Sequence, residues 1–228
     1  MKILALDTAT ELCSATLWIN GVCLSRECAR PQGGGELILG MVAELLAESG
    51  LGLSALDAIA FGRGPGAFTG VRLAVAVAQG LGFAAGLPLL PISDLRALAQ
   101  QALGHGGAPE CALICQDARM GEVYWGCFEG PGAARQASAE AVAAPSAVRV
   151  PEAWLGRGVC GAGSGFEAHP SLCTLPGLDP ALVWGQLRPR ALQIAQLAAL
   201  EGLARAVAPE NAQPVYLRDE VATLPSRN

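Results

Sequence analysis

The sequence predicts an α/β protein in which a mixed β-sheet is covered by helices and is followed by a smaller second lobe. Three observations predict this class. Apolar patterns typical of strands and helices alternate in the order β-β-β-α-β-α-β-α over the first hundred residues. A glycine-rich segment, Gly104 to Glu110, then interrupts them. Beyond it the patterns partly restart, so the predicted lobes are residues 1–104 and 105–228.

The first lobe begins with strands and continues with crossover helices. Its second and third strands are joined by Asn20-Gly21, a dipeptide typical of tight hairpins. A hairpin followed by crossover helices gives a sheet with both antiparallel and parallel neighbours. The predicted strands are 2–10, 13–19, 22–28, 56–66 and 87–93, and the predicted helices are 36–50, 70–85 and 94–103.

The second lobe is predicted to contain fewer elements. Two strands, 111–119 and 122–130, flank a short turn, and a strand at 156–166 enters a glycine turn. An amphipathic helix covers residues 190–207 and is available to pack back on the first lobe.

Composition excludes several classes of function. The chain has 228 residues, 52% of them hydrophobic and 15% charged, with a net charge of −5, which disfavours a stand-alone nucleic-acid binder. Lys2 is the only lysine, so no P-loop or Schiff-base lysine can follow. The two histidines, His105 and His169, lie in predicted loops and provide no helical metal-binding pair. None of the eight cysteines forms a Cys-x-x-Cys pair, which disfavours zinc ribbons and thioredoxin chemistry.

The chain is expected to be cytoplasmic, with reduced cysteines and no membrane span. Only four apolar residues precede Asp7, too few for the apolar region of a signal peptide. The stretch Gly70 to Ile92 is apolar enough to suggest a span, but Arg72 and Gln79 lie inside it. A helix buried on two sides has the same composition.

The segment Gly62 to Gly86 combines a glycine-rich turn with a helix that has two apolar rows. The turn lacks the Walker and dinucleotide-binding patterns, and both a structural turn and a ligand site remain open for it. The second apolar row needs a cover, and its small residues favour a helix of another subunit over internal burial. The rows are Val71, Val75, Ala78 and Gly82 on one side and Leu73, Val77, Leu81 and Ala84 on the other.

Polar residues at the predicted strand ends are candidates for a nucleotide site. Asp7 and Thr8 follow the first strand, where such an Asp can hold magnesium in phosphotransferases. The alternative is a polar strand end that caps a turn. Asp117, Arg119 and Glu122 surround a hairpin turn, and the alternative there is an ordinary surface ion pair.

Four segments resemble the TsaB family, also called YeaZ: ILALDTATELCSATLW, GRGPGAFTGVRLAVAVAQGL, DARMGEVYW and PVYLRDEVA. They run in order from residue 3 to about 222. The resemblance implies an actin-like, Hsp70-like two-lobed fold of the sugar-kinase (ASKHA, ribonuclease H-like) superfamily with a reduced second lobe. It also implies a non-catalytic subunit of the machinery that makes threonylcarbamoyladenosine in tRNAs reading codons that start with A.

The resemblance implies partners. The paralogue TsaD, which holds the metal and the threonylcarbamoyl-adenylate, would pair with this chain, the ATPase TsaE would join them, and TsaC would make the adenylate. The chain would have no metal or cofactor of its own, with ADP or ATP expected only at a joint surface, and would meet tRNA only through the complex. The expected partner interface is Leu37, Met41, Leu45, Val71, Ala74, Val75, Ala78 and Gly82, and the expected vestigial nucleotide or joint-interface site is Asp7, Thr8, Arg63, Asp117, Arg119 and Glu122.

The sequence departs from the family in the segment Ala29 to Leu37, which lacks a histidine found in many members. Two rival functions stay open. One is an independent ATPase or small-molecule kinase that uses Asp7, Thr8 and the GAGSG turn from Gly161 to Gly165, and the other is a peptidase, for which no nucleophile–base pair is visible. Whether the chain forms a homodimer without its partner is also open.

Overall fold

The computed structural model describes residues 1–29 and 34–218, which form two β-sheets with helices around them. Residues 30–33 of the segment Ala29 to Leu37 lie outside this description, as does the end of the PVYLRDEVA motif. The strands are β1 (Lys2–Asp7), β2 (Leu12–Ile19), β3 (Val22–Ala29), β4 (Ala58–Gly62), β5 (Leu89–Ile92), β6 (Cys111–Arg119), β7 (Glu122–Glu129), β8 (Arg135–Gln136), β9 (Ala141–Ala143), β10 (Val159–Ala162) and β11 (Leu178–Trp184). The helices are α1 (Gly34–Ser49), α2 (Phe68–Ala85), α3 (Asp94–Leu103), α4 (Gly165–Ala168) and α5 (Ala191–Glu201).

The first sheet has the strand order β3-β2-β1-β4-β5. β1, β2 and β3 are antiparallel neighbours, whereas β1, β4 and β5 run parallel, as expected for a hairpin followed by crossover helices. Asn20 and Gly21 have φ values of 49° and 99°, which a tight hairpin requires of its two central residues. The predicted mixed sheet and hairpin are therefore confirmed.

Helices cover both faces of the first sheet. Leu4, Leu6 and Phe61 point to one face and pack against α1 and α2. Ile3 and Ala5 point to the opposite face, where Ile194 and Leu197 of α5 cover them. The core of the first sheet thus includes a helix that comes from the far end of the chain.

The second sheet has the order β11-β10-β6-β7-β8, with β9 also paired to β7. Helix α3 packs on one face through Leu95 and Leu98, and Ala97 of the same helix reaches the core beneath α5. The opposite face is covered by Trp154 and by Phe166 of α4. Helix α3 therefore lies at the junction of the two sheets.

The second lobe differs from the sequence prediction, which contains neither β8, β9 nor α4 and also differs at the last helix and at one edge strand. The helix predicted over 190–207 ends at Glu201, because Gly202 takes a φ of 62° and its N–H caps the Ala198 carbonyl. The edge strand β11 was not predicted, since its Asp179-Pro180 pair interrupts the apolar pattern typical of a strand.

Candidate functional site

A cavity of about 1180 Å³ lies between the two sheets. Its first-lobe wall is the end of β1 and the start of α2, and its second-lobe wall comes from β6 and from the turn before α4. The polar side chains on its walls are those of Thr8, Thr10, Glu11, Thr69, Gln116, Asp117, Arg119, Tyr124, Ser164, Glu167, Arg188, Tyr216 and Arg218.

The glycine-rich turn at the first-lobe wall has a structural reason for its glycines. A Cβ at Gly70 would overlap the Thr8 carbonyl oxygen, and one at Gly66 would lie 2.6 Å from the Ala9 carbonyl oxygen. The Thr8 hydroxyl donates to the Gly70 carbonyl at 2.7 Å, and the Ala67 N–H donates to the Ala9 carbonyl at 2.7 Å. The turn is therefore fastened directly onto the end of β1, which supports the structural interpretation of this motif.

The six residues of the expected nucleotide site are only partly brought together. Thr8, Asp117 and Arg119 line the cavity, but Asp7, Arg63 and Glu122 do not. The Asp117 carboxylate accepts from the Arg119 N–H at 2.9 Å and pairs with the Arg119 guanidinium at 3.2 Å, as expected for an ordinary local ion pair.

Arg63 and Glu122 point to other places. Arg63 lines a separate cavity of about 290 Å³ and pairs with Glu140 at 3.4 Å. Glu122 forms an ion pair with Arg218, close to the end of the described chain. Neither side chain therefore contributes to the wall of the larger cavity.

Asp7 is fully buried beside a second carboxyl group, Asp94, that sequence reasoning missed. Burial raises the pKa of Asp7 to about 6. Burial, together with the neighbouring charge of Asp7, raises the pKa of Asp94 well above its usual value. The pattern of the sequence marks Asp94 only as the first residue of a helix, so nothing in it signals this contact.

Ion pairs join the two lobes at the cavity. The Arg188 guanidinium pairs with Glu11 of the first lobe and, at 2.9 Å, with Glu167 of α4. These contacts raise the pKa of Arg188 against the opposing effect of burial. The three residues lie far apart in the sequence, so no local sequence motif predicts that they are in contact.

The segment Val215 to Arg218 crosses the cavity from one lobe to the other. Its Val215 N–H donates to the Arg63 carbonyl at 2.7 Å, and the Arg72 Nε donates to the Tyr216 hydroxyl at 2.7 Å. At the other end, Arg218 donates to the Ala118 carbonyl at 3.2 Å. We call this segment the strap.

The outward surface of α1 and α2 is a second candidate site, and here the structure corrects the expected interface residues. Val71, Ala74, Val75, Ala78 and Gly82 face the chain's own core, because α2 packs on the first sheet through this row. Met41 and Leu45 lie on the inner side of α1 and are likewise buried, and Leu37 of the same helix is half-buried. The seven buried residues therefore offer little surface to a partner, whereas Leu37 remains partly accessible.

A different row of α2 faces outward. Ala76, Gly80, Phe83 and Ala84 are exposed, and Leu73, Val77 and Leu81 are half-buried beside them. On α1 the exposed residues include Leu39, Gly40, Ala43 and Ala47. We call these residues of both helices the α1–α2 face.

Two glycines of the α1–α2 face have no internal reason to be glycine. A Cβ at Gly40 or at Gly80 would meet no atom within 4 Å. Gly82 differs, because its Cβ would lie 2.9 Å from Leu89 and 3.1 Å from Pro209. An interior helix glycine is destabilising by roughly 0.5–1 kcal/mol relative to alanine, so the fold alone does not account for Gly40 and Gly80.

Other site types find little support in the described part of the chain. Residues 1–29 and 34–218 contain no group of three His, Cys, Asp or Glu side chains placed to hold a metal ion. His105 stacks on Trp184 with ring centroids 4.5 Å apart. Helix α2 is long and apolar enough to cross a membrane by length and composition, but one of its faces packs on the first sheet.

Comparisons with known proteins find one family model and several full-length relatives. The family model of TsaD, tRNA N6-adenosine threonylcarbamoyltransferase, matches residues 35–157. The tRNA threonylcarbamoyladenosine biosynthesis protein TsaB of Escherichia coli (strain K12) is 41% identical over 97% of this chain and 96% of its own length. The TsaB protein of Haemophilus influenzae is 37% identical over 100% of this chain and 98% of its own length.

A solved structure agrees with the sequence relatives. YeaZ from Pseudomonas aeruginosa superimposes with a TM-score of 0.87 and 44% identity over 95% of this chain and 99% of that one. This match, with the two-sheet topology, confirms the predicted actin-like fold class. The chain belongs to the TsaB family.

Proposed function

We propose that the chain is a non-catalytic subunit in the biosynthesis of tRNA threonylcarbamoyladenosine. It pairs with the transferase TsaD through the α1–α2 face and supports transfer of the threonylcarbamoyl group to the adenosine next to the anticodon. The names of the relatives support the pathway. The match to the TsaD family model over residues 35–157 supports a paralogous relationship with that enzyme.

The observation that carries the pairing is the composition of the α1–α2 face. Leu39 is 48% exposed and Phe83 is 61% exposed, so large apolar side chains stand in water when the chain is alone. Gly40 and Gly80, which the fold itself does not require, permit the close approach of another backbone. A face of this kind is suited to helix-on-helix contact with a second polypeptide.

The chemistry of the interlobe cavity supports a non-catalytic role. Arg188 is engaged by Glu11 and Glu167, and Asp117 is engaged by Arg119. Asp7 lies behind the cavity wall rather than on it. The carboxylate that a phosphotransferase would offer to magnesium is therefore withdrawn from the place where a substrate would lie.

The remaining partners follow from this role. ADP or ATP would bind only where this chain and its partners form a joint surface, with TsaE as the ATPase and TsaC as the supplier of the adenylate. The tRNA would be met through the complex, since the net charge of −5 gives this chain little affinity for a polyanion of its own. The expected location is the cytoplasm.

The test is co-elution of this chain with TsaD in size-exclusion chromatography, combined with a tRNA-modification assay of the mixture. Ala76→Glu places a charge in the middle of the exposed row and should weaken pairing at least about tenfold, because the charge would be buried without a partner. Ala181→Glu on the exposed edge strand β11 is the matched control and should leave both readouts unchanged. Full pairing by a folded Ala76→Glu variant would place the interface elsewhere.

One observation favours the rival function, an independent ATPase or small-molecule kinase. The interlobe cavity of about 1180 Å³ is large enough for a nucleotide. Incubation of the chain alone with ATP and magnesium separates the two functions: the proposed subunit releases no phosphate, whereas steady turnover that disappears in Thr8→Ala would establish the enzyme.

A further inference from the structure

Asp7 and Asp94 form a buried pair of carboxyl groups at the junction of the two lobes. Asp7 ends β1 and Asp94 begins α3, and both side chains are 0% exposed. Gly62, at the end of β4, makes room for them: a Cβ there would overlap Asp94 Oδ1 and would lie 3.1 Å from Asp7 Oδ1. The two carboxyl groups therefore occupy the space that a side chain at residue 62 would need.

Each carboxyl group has one oxygen on a backbone donor and one oxygen without a donor. Asp7 Oδ1 accepts from the Ala9 N–H at 2.8 Å, and Asp94 Oδ2 accepts from the Gly64 N–H. Asp7 Oδ2 and Asp94 Oδ1 have no hydrogen-bond donor among the residues that the structure describes. The two carboxyl groups contact each other, so acceptor faces acceptor unless a proton lies between them.

Few charged groups surround the pair. Arg63 is the cation whose charge reaches Asp94, but its guanidinium is directed to Glu140. Cys13 of β2 faces Asp7 as a neutral thiol, since burial, with a smaller contribution from Asp7, raises its pKa to about 11. Within α3 the Arg96 side chain turns away to Glu201. No contact among these neutralises two ionised carboxylates in a buried place.

We propose that Asp7 and Asp94 hold one proton between them, so that the junction of β1, β4 and α3 tightens as the pH falls and loosens as it rises. With the proton present, one carboxyl group donates to the other and both orphan oxygens are satisfied. Without it, two negative charges face each other in a site from which water is excluded. The pair thus keeps the Asp7 side chain engaged inside the protein rather than at the cavity.

The sign of the pH dependence follows from the pKa shifts. Both folded-state pKa values are raised, whereas an aspartate in the unfolded chain has a pKa of about 4. The folded protein therefore binds more protons than the unfolded chain above that pH, and stability declines as the pH rises through this range. The loss of stability that comes from deprotonation of Asp7 is complete a little above pH 6. The loss of stability that comes from deprotonation of Asp94 continues at higher pH.

The experiment compares thermal unfolding of the full chain and of Asp94→Asn between about pH 5 and pH 8. The melting temperature of the wild type should fall by at least about 4 °C over this range, whereas that of Asp94→Asn should change by less than half as much, because the amide donates permanently to Asp7. Asp179→Asn, at an exposed aspartate on β11, is the control and should follow the wild type. Parallel curves for the wild type and Asp94→Asn would overturn the proposal.

A second measurement keeps the proposal testable if Asp94→Asn does not fold. Infrared spectroscopy of the wild type at about pH 7 should show the carbonyl band of a protonated carboxylic acid, because exposed carboxyl groups are ionised at that pH. The band should survive in Asp179→Asn and fade as the pH is raised. Its absence from the folded wild type at pH 7 would show that no proton is shared.

Discussion

Arg72 lies over the ring of Phe68, with its guanidinium carbon 3.5 Å from the ring centroid. The same guanidinium donates to the Tyr216 hydroxyl, and the rings of Phe68 and Tyr216 are 6.0 Å apart. One arginine at the start of α2 thus links the helix to the strap across the cavity.

This cluster predicts that Arg72→Ala loosens the strap without unfolding the chain. The variant loses a cation–π contact worth about 0.5–1 kcal/mol at an exposed site and the hydrogen bond to Tyr216. Amide hydrogen exchange should therefore become faster at Val215, whose N–H donates to the Arg63 carbonyl, with no change in the strands of the first sheet. Arg149→Ala, which removes an arginine from the second lobe, serves as the control and should leave exchange in the strap as it was.

The two kinds of glycine in α2 predict opposite results for the same substitution. Gly80→Ala should raise the free energy of unfolding of the isolated chain by about 0.5–1 kcal/mol, because its Cβ meets nothing. It should nevertheless weaken pairing with TsaD, where the added methyl group holds the partner's backbone away. Chemical denaturation and co-elution measure the two effects, and unchanged pairing would count against close helix contact at this residue.

Gly82→Ala serves as the matched control for that experiment. Its Cβ would enter the space of Leu89 and Pro209, so the variant should lose about 1–3 kcal/mol of stability in the same denaturation experiment. A Gly82→Ala variant as stable as the wild type would contradict the packing of α2 on the segment that precedes the strap.

Gly70→Ala should be among the most damaging single substitutions in the first lobe. Its Cβ would overlap the Thr8 carbonyl, which is backbone and cannot rotate away. We expect a loss of at least about 2 kcal/mol in urea unfolding, together with loss of the Thr8–Gly70 hydrogen bond. A urea midpoint equal to that of the wild type would mean that the glycine-rich turn does not pack against the end of β1.

Cysteine reactivity provides a further check on the core. Burial raises the pKa of the Cys13 and Cys127 thiols to about 11 and that of Cys160 to about 12, so each is almost entirely protonated near pH 8. These three should resist alkylation in the folded protein and react fully in denaturant, as mass spectrometry of tryptic peptides would show. Rapid labelling of Cys160 in the native state would contradict its place between β6 and α3.

Local patterns in the sequence predicted the order of elements in the first lobe because each element there carries its own signal. The Asn20-Gly21 pair fixes the hairpin, and the helical spacing from Leu37 to Leu46 marks α1. Strand β11 lacks such a signal, since it is an edge strand with three consecutive exposed residues, Asp179 to Ala181. Pairing with β10 makes it a strand, and that contact is not local.

The two sites were predicted less well for a physical reason. Both faces of α2 are apolar, so the sequence pattern does not distinguish the row that packs on the sheet, and Val75, expected at the partner interface, is buried in the core. Asp94 and Asp7 are 87 positions apart in the sequence, and Arg188 and Glu11 are 177 positions apart, so only the folded chain brings each pair together. The interface with TsaD stays a prediction.

The position of helix α5 in the chain delays completion of the first lobe during synthesis on the ribosome. The face of the first sheet formed by Ile3, Ala5 and Leu90 stays bare until residues 191–198 have been synthesised, after every strand of the second sheet. The amino-terminal half of the chain therefore leaves the ribosome with an exposed apolar sheet face, to which a chaperone can bind. Expressed as a separate fragment, residues 1–104 should precipitate, and adding the α5 peptide should rescue part of the material.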